Sequence, residues 1–392
     1  MPWKNTEPME QRIEFALKAM RTLNFRALCQ EYGVSAKTGY KWKQRFLQEG
    51  IEGMAEESRR PKTSPEQLPE EEVCEIVRLK MAHLSWGPRK IRELYLRRHG
   101  EVASESTFKR VLERAGLTQK RRRRRSSEAG RLCSGRRATA ANEVWTVDFK
   151  GWWRSGAKRC EPLTVRDEHS RYLLEVRALE DAKTDTVRES FERLFEGQGL
   201  PEAIRSDNGS PFGSVRGLFG LSRLSAWWVV LGIDLERARP GHPQDNGAHE
   251  RMHGDISREL EAFGQSDQEA LDLWRQAFNY EGPHEALGMR CPGELYVASK
   301  RKYEGTPDDV EYPQMCTRRV SNKGTIQVEG QGLFLSTSLM GWSVGLKPIA
   351  EDLMEVWFGR LLLGQIDLST SSFIRADIRP NKTAEETKKC KQ

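Results

Sequence analysis

The chain has little that would suit an oxidising compartment or a membrane. Its seven cysteines, Cys29, Cys74, Cys133, Cys160, Cys291, Cys316 and Cys390, contain no Cys-x-x-Cys pair and are odd in number. That pattern argues against both a disulfide framework and a zinc ribbon, and it leaves reduced thiols suited to a reducing compartment. Long apolar runs are also missing. The most apolar stretch, Leu224 to Ile233, is far shorter than the roughly 20 residues a spanning helix needs. The opening Met1-Pro2-Trp3-Lys4 starts no signal core. A soluble, cytoplasmic protein is expected. Apolar residues make up 37% of 392 positions, so cores can form but must be small or divided among about two to four domains.

The net charge is +7, a modest excess whose placement says more than its size. Lys120 to Arg137 holds nine basic residues and one acidic one, Glu128. Apolar periodicity, prolines and this run divide the chain. Residues 1–56 and 70–118 read as helical domains, joined by a proline-containing linker at 57–69. Residues 119–141 form a basic linker. A mixed α/β region follows over 142–300, then short strands over 310–370, and a polar, disordered tail over 379–392.

The two helical domains share a design. In the first, Ile13, Leu17, Met20 and Leu23 recur at helical spacing. Phe25 to Tyr32 then reads as a helix, Gly33-Val34-Ser35 as a turn, and Ser35 as the N-cap of a second helix over Ala36 to Leu47. That helix interleaves Lys37, Lys41, Lys43 and Arg45 with Tyr40, Trp42 and Phe46, the composition of a helix-turn-helix recognition helix. The second domain repeats the pattern. Pro88 to His99 is one helix, and Ser104 caps another that carries Lys109, Arg110 and Arg114. Two such units followed by Arg121, Arg122, Arg123, Arg124 and Arg125 point to double-stranded DNA, with the arginine run neutralising phosphates rather than reading bases.

In the α/β region, strands are expected at Glu143–Asp148, Pro162–Asp167 and Ser170–Val176, then a helix from Thr184. A strand over Ala203–Asp207, a strand over Leu231–Arg237 and a helix containing Glu250 follow. Phosphodiester cutting without a covalent intermediate calls for carboxylates that hold divalent cations, two of them about 3.5–4 Å apart in a two-metal site. Asp148, Asp207 and Glu250 could converge on one edge of such a sheet.

The stretches Trp145-Thr-Val-Asp148, Ser206-Asp207-Asn-Gly and Pro243-Gln-Asp-Asn-Gly-Ala-His-Glu250-Arg resemble the catalytic cores of retroviral integrases and of bacterial insertion-sequence transposases. Asn279-Tyr-Glu-Gly-Pro-His284 and Cys291-Pro-Gly-Glu-Leu-Tyr296 match the way such cores close. The resemblance implies a ribonuclease-H-like fold with Asp148, Asp207 and Glu250 as a catalytic, metal-binding Asp–Asp–Glu triad. Mg²⁺ would be the cofactor, and Mn²⁺ could substitute. It further implies hydrolysis at the terminal inverted repeats of an element, then attack of the freed 3′-hydroxyl on target DNA. A homo-oligomer, at least a dimer on DNA, and association with the bacterial nucleoid follow.

His242, Asn246, Arg251 and Arg258 are candidate DNA contacts beside the triad. Asp167 is read as structural, Asp245 as a helix cap and His253 as a surface histidine. Gly282 departs from the family pattern, which has Arg before Pro-His. Five strand-like runs between Thr325 and Ile366, punctuated by glycines, suggest a small C-terminal β-barrel. The alternatives are a catalytically silent helix-turn-helix regulator derived from a transposase and a junction-cutting nuclease of the same fold.

Overall fold

The computed structural model describes residues 8–56, 68–101, 103–118, 135–155, 158–214, 217–237 and 247–376. The arginine run 121–125, His242, Asp245, Asn246 and the tail 379–392 lie outside the described residues. The chain divides into two compact units, one ending at Pro69 and one beginning at Glu70.

The first unit packs three helices, α1 (Pro8–Arg21), α2 (Phe25–Glu31) and α3 (Ala36–Glu49). Its core is Phe15, Ala16, Ala19, Leu28, Cys29, Val34, Trp42 and Met54. The expected apolar stripe on α1 is therefore displaced. Leu17, Met20 and Leu23 are exposed, and the adjacent stripe with two alanines faces inward. The helices pack closely: a Cβ at Gly39 of α3 would stand 2.6 Å from Cys29 Sγ and 3.0 Å from the Phe15 ring. Ser35 caps α3 as its sequence suggests, its hydroxyl accepting from the Thr38 amide at 3.2 Å.

The second unit begins with α4 (Glu70–Ala82), α5 (Pro88–His99) and α6 (Glu105–Arg114), packed through Ile76, Leu79, Ile91, Leu94, Tyr95, Phe108, Val111 and Leu112. Pro88 sits in the first turn of α5, where its missing N–H costs nothing. Ser104 precedes α6, but its hydroxyl bonds those of Ser106 and Thr107 instead of capping a backbone amide.

The α/β layer follows with β1 (Val144–Phe149), the hairpin β2 (Trp153–Ser155) and β3 (Lys158–Cys160), β4 (Pro162–Asp167) and β5 (Leu173–Ala178). Next come α7 (Thr184–Gln198), β6 (Ala203–Ser206), α8 (Arg223–Val230), β7 (Asp234–Arg237), α9 (Gly247–Glu259) and α10 (Gln268–Gln276). The sheet runs β5-β4-β1-β6-β7: β5, β4 and β1 are antiparallel, and β6 and β7 continue from β1 in parallel. Alternation along β1 decides the layering. Trp145 and Val147 face the apolar layer of α7 and α8 with Phe191, Phe195, Trp227 and Trp228. The opposite face is covered by α9 and α10 through Met252, Ile256, Leu260, Leu271 and Trp274. This is the expected ribonuclease-H-like α/β arrangement.

The C-terminal strands are β8 (Cys316–Arg319), β9 (Thr325–Val328), β10 (Gln331–Phe334), β11 (Ser343–Ala350), β12 (Leu353–Phe358), β13 (Leu361–Asp367) and β14 (Ser372–Arg375). They do not form the closed barrel expected. Five of them make an open antiparallel sheet, β14-β13-β12-β11-β8, and β9 and β10 pair separately as a hairpin. The hairpin lies near both edges, β9 by β8 and β10 by β14, and completes the core with side chains instead of ladder bonds. That apolar cluster continues into Leu218, Leu221, Ala226 and Val229, so the module is seated on the α8 side of the catalytic layer.

Candidate active site

Sheet register brings two of the three carboxylates together. Val144, Trp145 and Thr146 of β1 lie opposite Ala203, Ile204 and Arg205 of β6. Two residues further along each parallel strand stand Asp148 and Asp207, at the same end of the sheet on strands about 4.8 Å apart. Asp148 shares a face of β1 with Thr146, the face that α9 covers. Glu250 sits in the first turn of α9, where the helix dipole favours an anion, and its side chain is exposed.

The electrostatics register this convergence. The Asp148 carboxyl is pushed up to about 7, first by burial and then by the neighbouring charge of Asp207, with a smaller push from Glu250. A bond from the Phe149 amide opposes the shift. Asp207 ends β6 in a turn where its Oδ1 accepts from the Gly209 amide at 3.1 Å. A Cβ at Gly209 would come 2.9 Å from the Asp207 carboxylate and displace it. Arg237, which the sequence did not single out, pins this turn: its Nη1 donates to Ser206 Oγ at 2.9 Å and to the Asp207 carbonyl at 3.1 Å. Among the described residues, no set of three or more His, Cys, Asp or Glu side chains is gathered closely enough to hold a metal ion.

Behind Asp148 lies a histidine pair. Thr164 of β4 is the cross-strand partner of Asp148, and its hydroxyl donates to the Asp148 carbonyl at 2.9 Å. The same hydroxyl lies 2.7 Å from His249 Nε2 and 2.8 Å from His253 Nε2. A hydroxyl has one proton and two lone pairs, so with its proton on Asp148 it accepts from both rings. In that arrangement both histidines are Nε2–H tautomers. His249 Nδ1 lies 3.0 Å from Thr146 Oγ1, which also donates to the Arg166 carbonyl at 3.3 Å, and His253 Nδ1 stands 4.0 Å from Asp148 Oδ2. Burial holds both imidazoles neutral. It brings His253 down to about 3 and His249 well below its ordinary value, each helped by nearby positive charge. His253 is therefore part of the layer behind the site and not the surface residue expected, since Thr164 draws its ring inward. His249 carries no sign of burial in the sequence beyond its place one residue before Glu250.

Asp167 is fully buried, and its carboxylate is used by the Asn142 amide at 2.8 Å and by the Ser170 amide and hydroxyl at 2.8 and 2.6 Å. Of the candidate DNA contacts, Lys37 and Lys41 are exposed on α3, together with Tyr40 and Gln44, which the basic pattern overlooked. Lys43 lies over the Phe25 ring. Arg45 packs on Trp42 and faces Glu49 at 3.9 Å, with its side chain only 14% exposed. Lys109 and Arg110 are exposed on α6. Arg251 is exposed near the start of α9, and Arg258 is paired with Asp255.

Family models and sequence relatives match these regions of the chain. A helix-turn-helix domain model matches residues 11–62 and a homeodomain-like domain model matches 38–112. Two integrase core domain models match 138–243 and 231–292. The 31.7 kDa protein of insertion element IS407 from Burkholderia multivorans is 27% identical over 246 residues, 61% of this chain and 84% of that protein. The 39.2 kDa protein of IS476 from Xanthomonas euvesicatoria is 26% identical over 231 residues, 58% of this chain and 64% of that one. Among solved structures, the HTLV-2 integrase catalytic core domain in complex with magnesium is 15% identical with a TM-score of 0.34, covering 41% of this chain and all of that one. The chain carries helix-turn-helix domains ahead of an integrase core, the make-up of an insertion-sequence transposase.

Proposed function

We propose that this transposase, a polynucleotidyl transferase, hydrolyses phosphodiesters at the ends of its element and joins the freed 3′-hydroxyls to target DNA, with Asp148, Asp207 and Glu250 holding Mg²⁺. One observation carries the assignment: Asp148, near the end of β1, and Asp207, just past the end of β6, stand at the same end of adjacent parallel strands, and the Asp148 carboxyl is raised by burial and by the charges of Asp207 and Glu250. Such mutual repulsion suits a divalent cation. The donor set fits Mg²⁺, which takes a few carboxylates and leaves positions for water and substrate phosphate. When bound, the cation supplies polarisation of a phosphoryl oxygen and neutralises developing charge. Mn²⁺, with similar preferences, can replace it. Arg237 and the Gly209 amide hold Asp207 in place, and Thr164 fixes the backbone of Asp148. Lys37, Lys41, Lys109, Arg110 and Arg251 present cations to the duplex of the terminal repeats. Reaction at two ends requires at least two protomers on the DNA.

The test incubates the purified protein with Mg²⁺ and labelled duplexes bearing the element's own ends, beside an Asp207→Asn variant. A 3′-end nick and strand-transfer products, both absent in the variant, are expected. Tight end binding by paired ends with no product from the unmodified protein would replace this reading with the regulator.

A further inference from the structure

Gly282 marks a docking site. Its backbone, at φ −76° and ψ 103°, is open to any L-residue, so glycine is not there for conformational freedom. A Cβ at 282 would lie 3.1 Å from the Phe278 carbonyl of its own turn and 3.5 Å, ordinary contact distance, from the indole of Trp86, so the two residues pack directly together. Trp86 comes from the α4–α5 connection and is 7% exposed. The connection is held from behind by the buried Lys80, whose ammonium donates to the carbonyls of Leu84 and Trp86 at 2.6 and 2.7 Å. Beside Trp86, Ser85 bonds Glu259, the last residue of α9, and Glu259 also accepts from Trp274 Nε1 at 2.6 Å. At the far end of α5, Arg97 donates to Glu294 at 2.7 Å and to the Met289 carbonyl at 2.9 Å. These partly exposed polar links orient the domain, while the buried indole anchors it.

We propose that this Trp86–Gly282 seat holds the α4–α6 domain at a fixed position on the catalytic layer and so determines which phosphodiester is cut. The proposal rests on the transposase reading above. The docked domain buries Phe108, Val111 and Leu112 of α6 but leaves Lys109 and Arg110 exposed, so it engages DNA without leaving its seat. The grip on the end of α9 ties that DNA to the helix bearing Glu250. The seat thus acts as a ruler between bound sequence and reacting phosphate.

The test uses the full chain with Trp86→Ala, Arg97→Glu, Glu294→Arg and the double Arg97→Glu/Glu294→Arg exchange, each checked by thermal melting. End-duplex affinity should stay within about twofold of the unmodified protein, because α6 is untouched. With Mg²⁺, the unmodified protein nicks one phosphodiester. Trp86→Ala and each single charge reversal spread the nicks over neighbouring positions, and the double exchange restores the single position. Hydroxyl-radical footprints without divalent cation give a readout independent of cutting: core protection at a fixed spacing from the α6 site, blurred in Trp86→Ala and the single reversals. A single unchanged nick position with an unchanged footprint in those variants would overturn the proposal. So would faster cutting at the unchanged position, which would make the seat an inhibitory contact. If the unmodified protein does not nick at all, the transposase reading fails, and the footprints still decide the docking.

Discussion

Asp148 makes the folding of this protein depend on pH in a way that names its neighbours. With its carboxyl near 7 in the folded chain and 3.8 as its ordinary value, the folded state holds a proton that the unfolded state has released between those two pH values. Stability therefore falls as pH rises from about 4 to about 7 and is flat above. At about 1.4 kcal/mol per unit, the penalty reaches a few kcal/mol at pH 8. Asp148→Asn removes it. The variant should melt several degrees above the parent at pH 8, at about 2–4 °C per kcal/mol, and level with it at pH 4. An equal advantage at both pH values would contradict the assigned cause, and Mg²⁺ should stabilise the parent more than the variant. The buried histidines carry the opposite sign. Neutral in the fold, His249 and His253 contribute stability that is present above 6.5 and lost as pH falls below it, for His253 down to about 3. Their shared partner gives a second prediction. Thr164→Val strands two imidazole N–H groups and should cost about 2–4 kcal/mol in urea unfolding, whereas Thr164→Ser keeps the hydroxyl and should cost far less. Similar losses in both variants would show that the methyl group, not the hydrogen bonds, matters at this position.

Helix starts show how far sequence chemistry reaches at the scale of elements. Ser35 and Ser104 occupy equivalent positions before α3 and α6, yet only Ser35 accepts from a backbone amide. Ser35→Ala should therefore lower the stability of the N-terminal unit by about 1 kcal/mol, and Ser104→Ala should cost clearly less in its own unit, both read by chemical denaturation. Equal effects would mean that the hydroxyl bonds of Ser104 to Ser106 and Thr107 cap as well as a direct bond does. The elements legible in advance were those with a strong local signal. The alternation of β1 and β4 and the proline at the start of α5 each declare themselves within a few residues. The β2–β3 hairpin has only three residues per strand, too few to show a period. Strands β8 and β14 are edges with partly or wholly exposed side chains, so burial left no alternation to read. On α1 two stripes compete at helical spacing, and Phe15, Ala16 and Ala19 face the core while Leu17, Met20 and Leu23 stay exposed. At the proposed site, the three acids were marked by the resemblance of the stretches around them to integrase cores. Arg237, His249 and Thr164 were not, because their roles arise from strand register and from the way α9 lies on the sheet.

Along the chain, positive charge is concentrated in the stretch between two domains. Five consecutive arginines, Arg121 to Arg125, stand between the α4–α6 domain and the integrase core. Phosphate contacts release counterions, so each one lost should flatten the plot of log affinity against log salt by about 0.9. Replacing all five by alanine should reduce the slope by up to about 4.5 and weaken the element's ends and scrambled duplexes alike. A change in the preference between the two duplexes would instead assign base reading to the run. Lys37→Ala and Lys41→Ala on α3, and Lys109→Ala on α6, provide the contrast. Exposed on helices expected to enter a groove, these lysines should weaken the element's own ends more than scrambled DNA wherever they reach base edges. Anisotropy titrations at four or five salt concentrations, on both duplexes, separate the two classes. Parallel lines for the arginine variant and the parent would show that the run neutralises no phosphate, and the affinity would then have to come from the helical domains and the core alone.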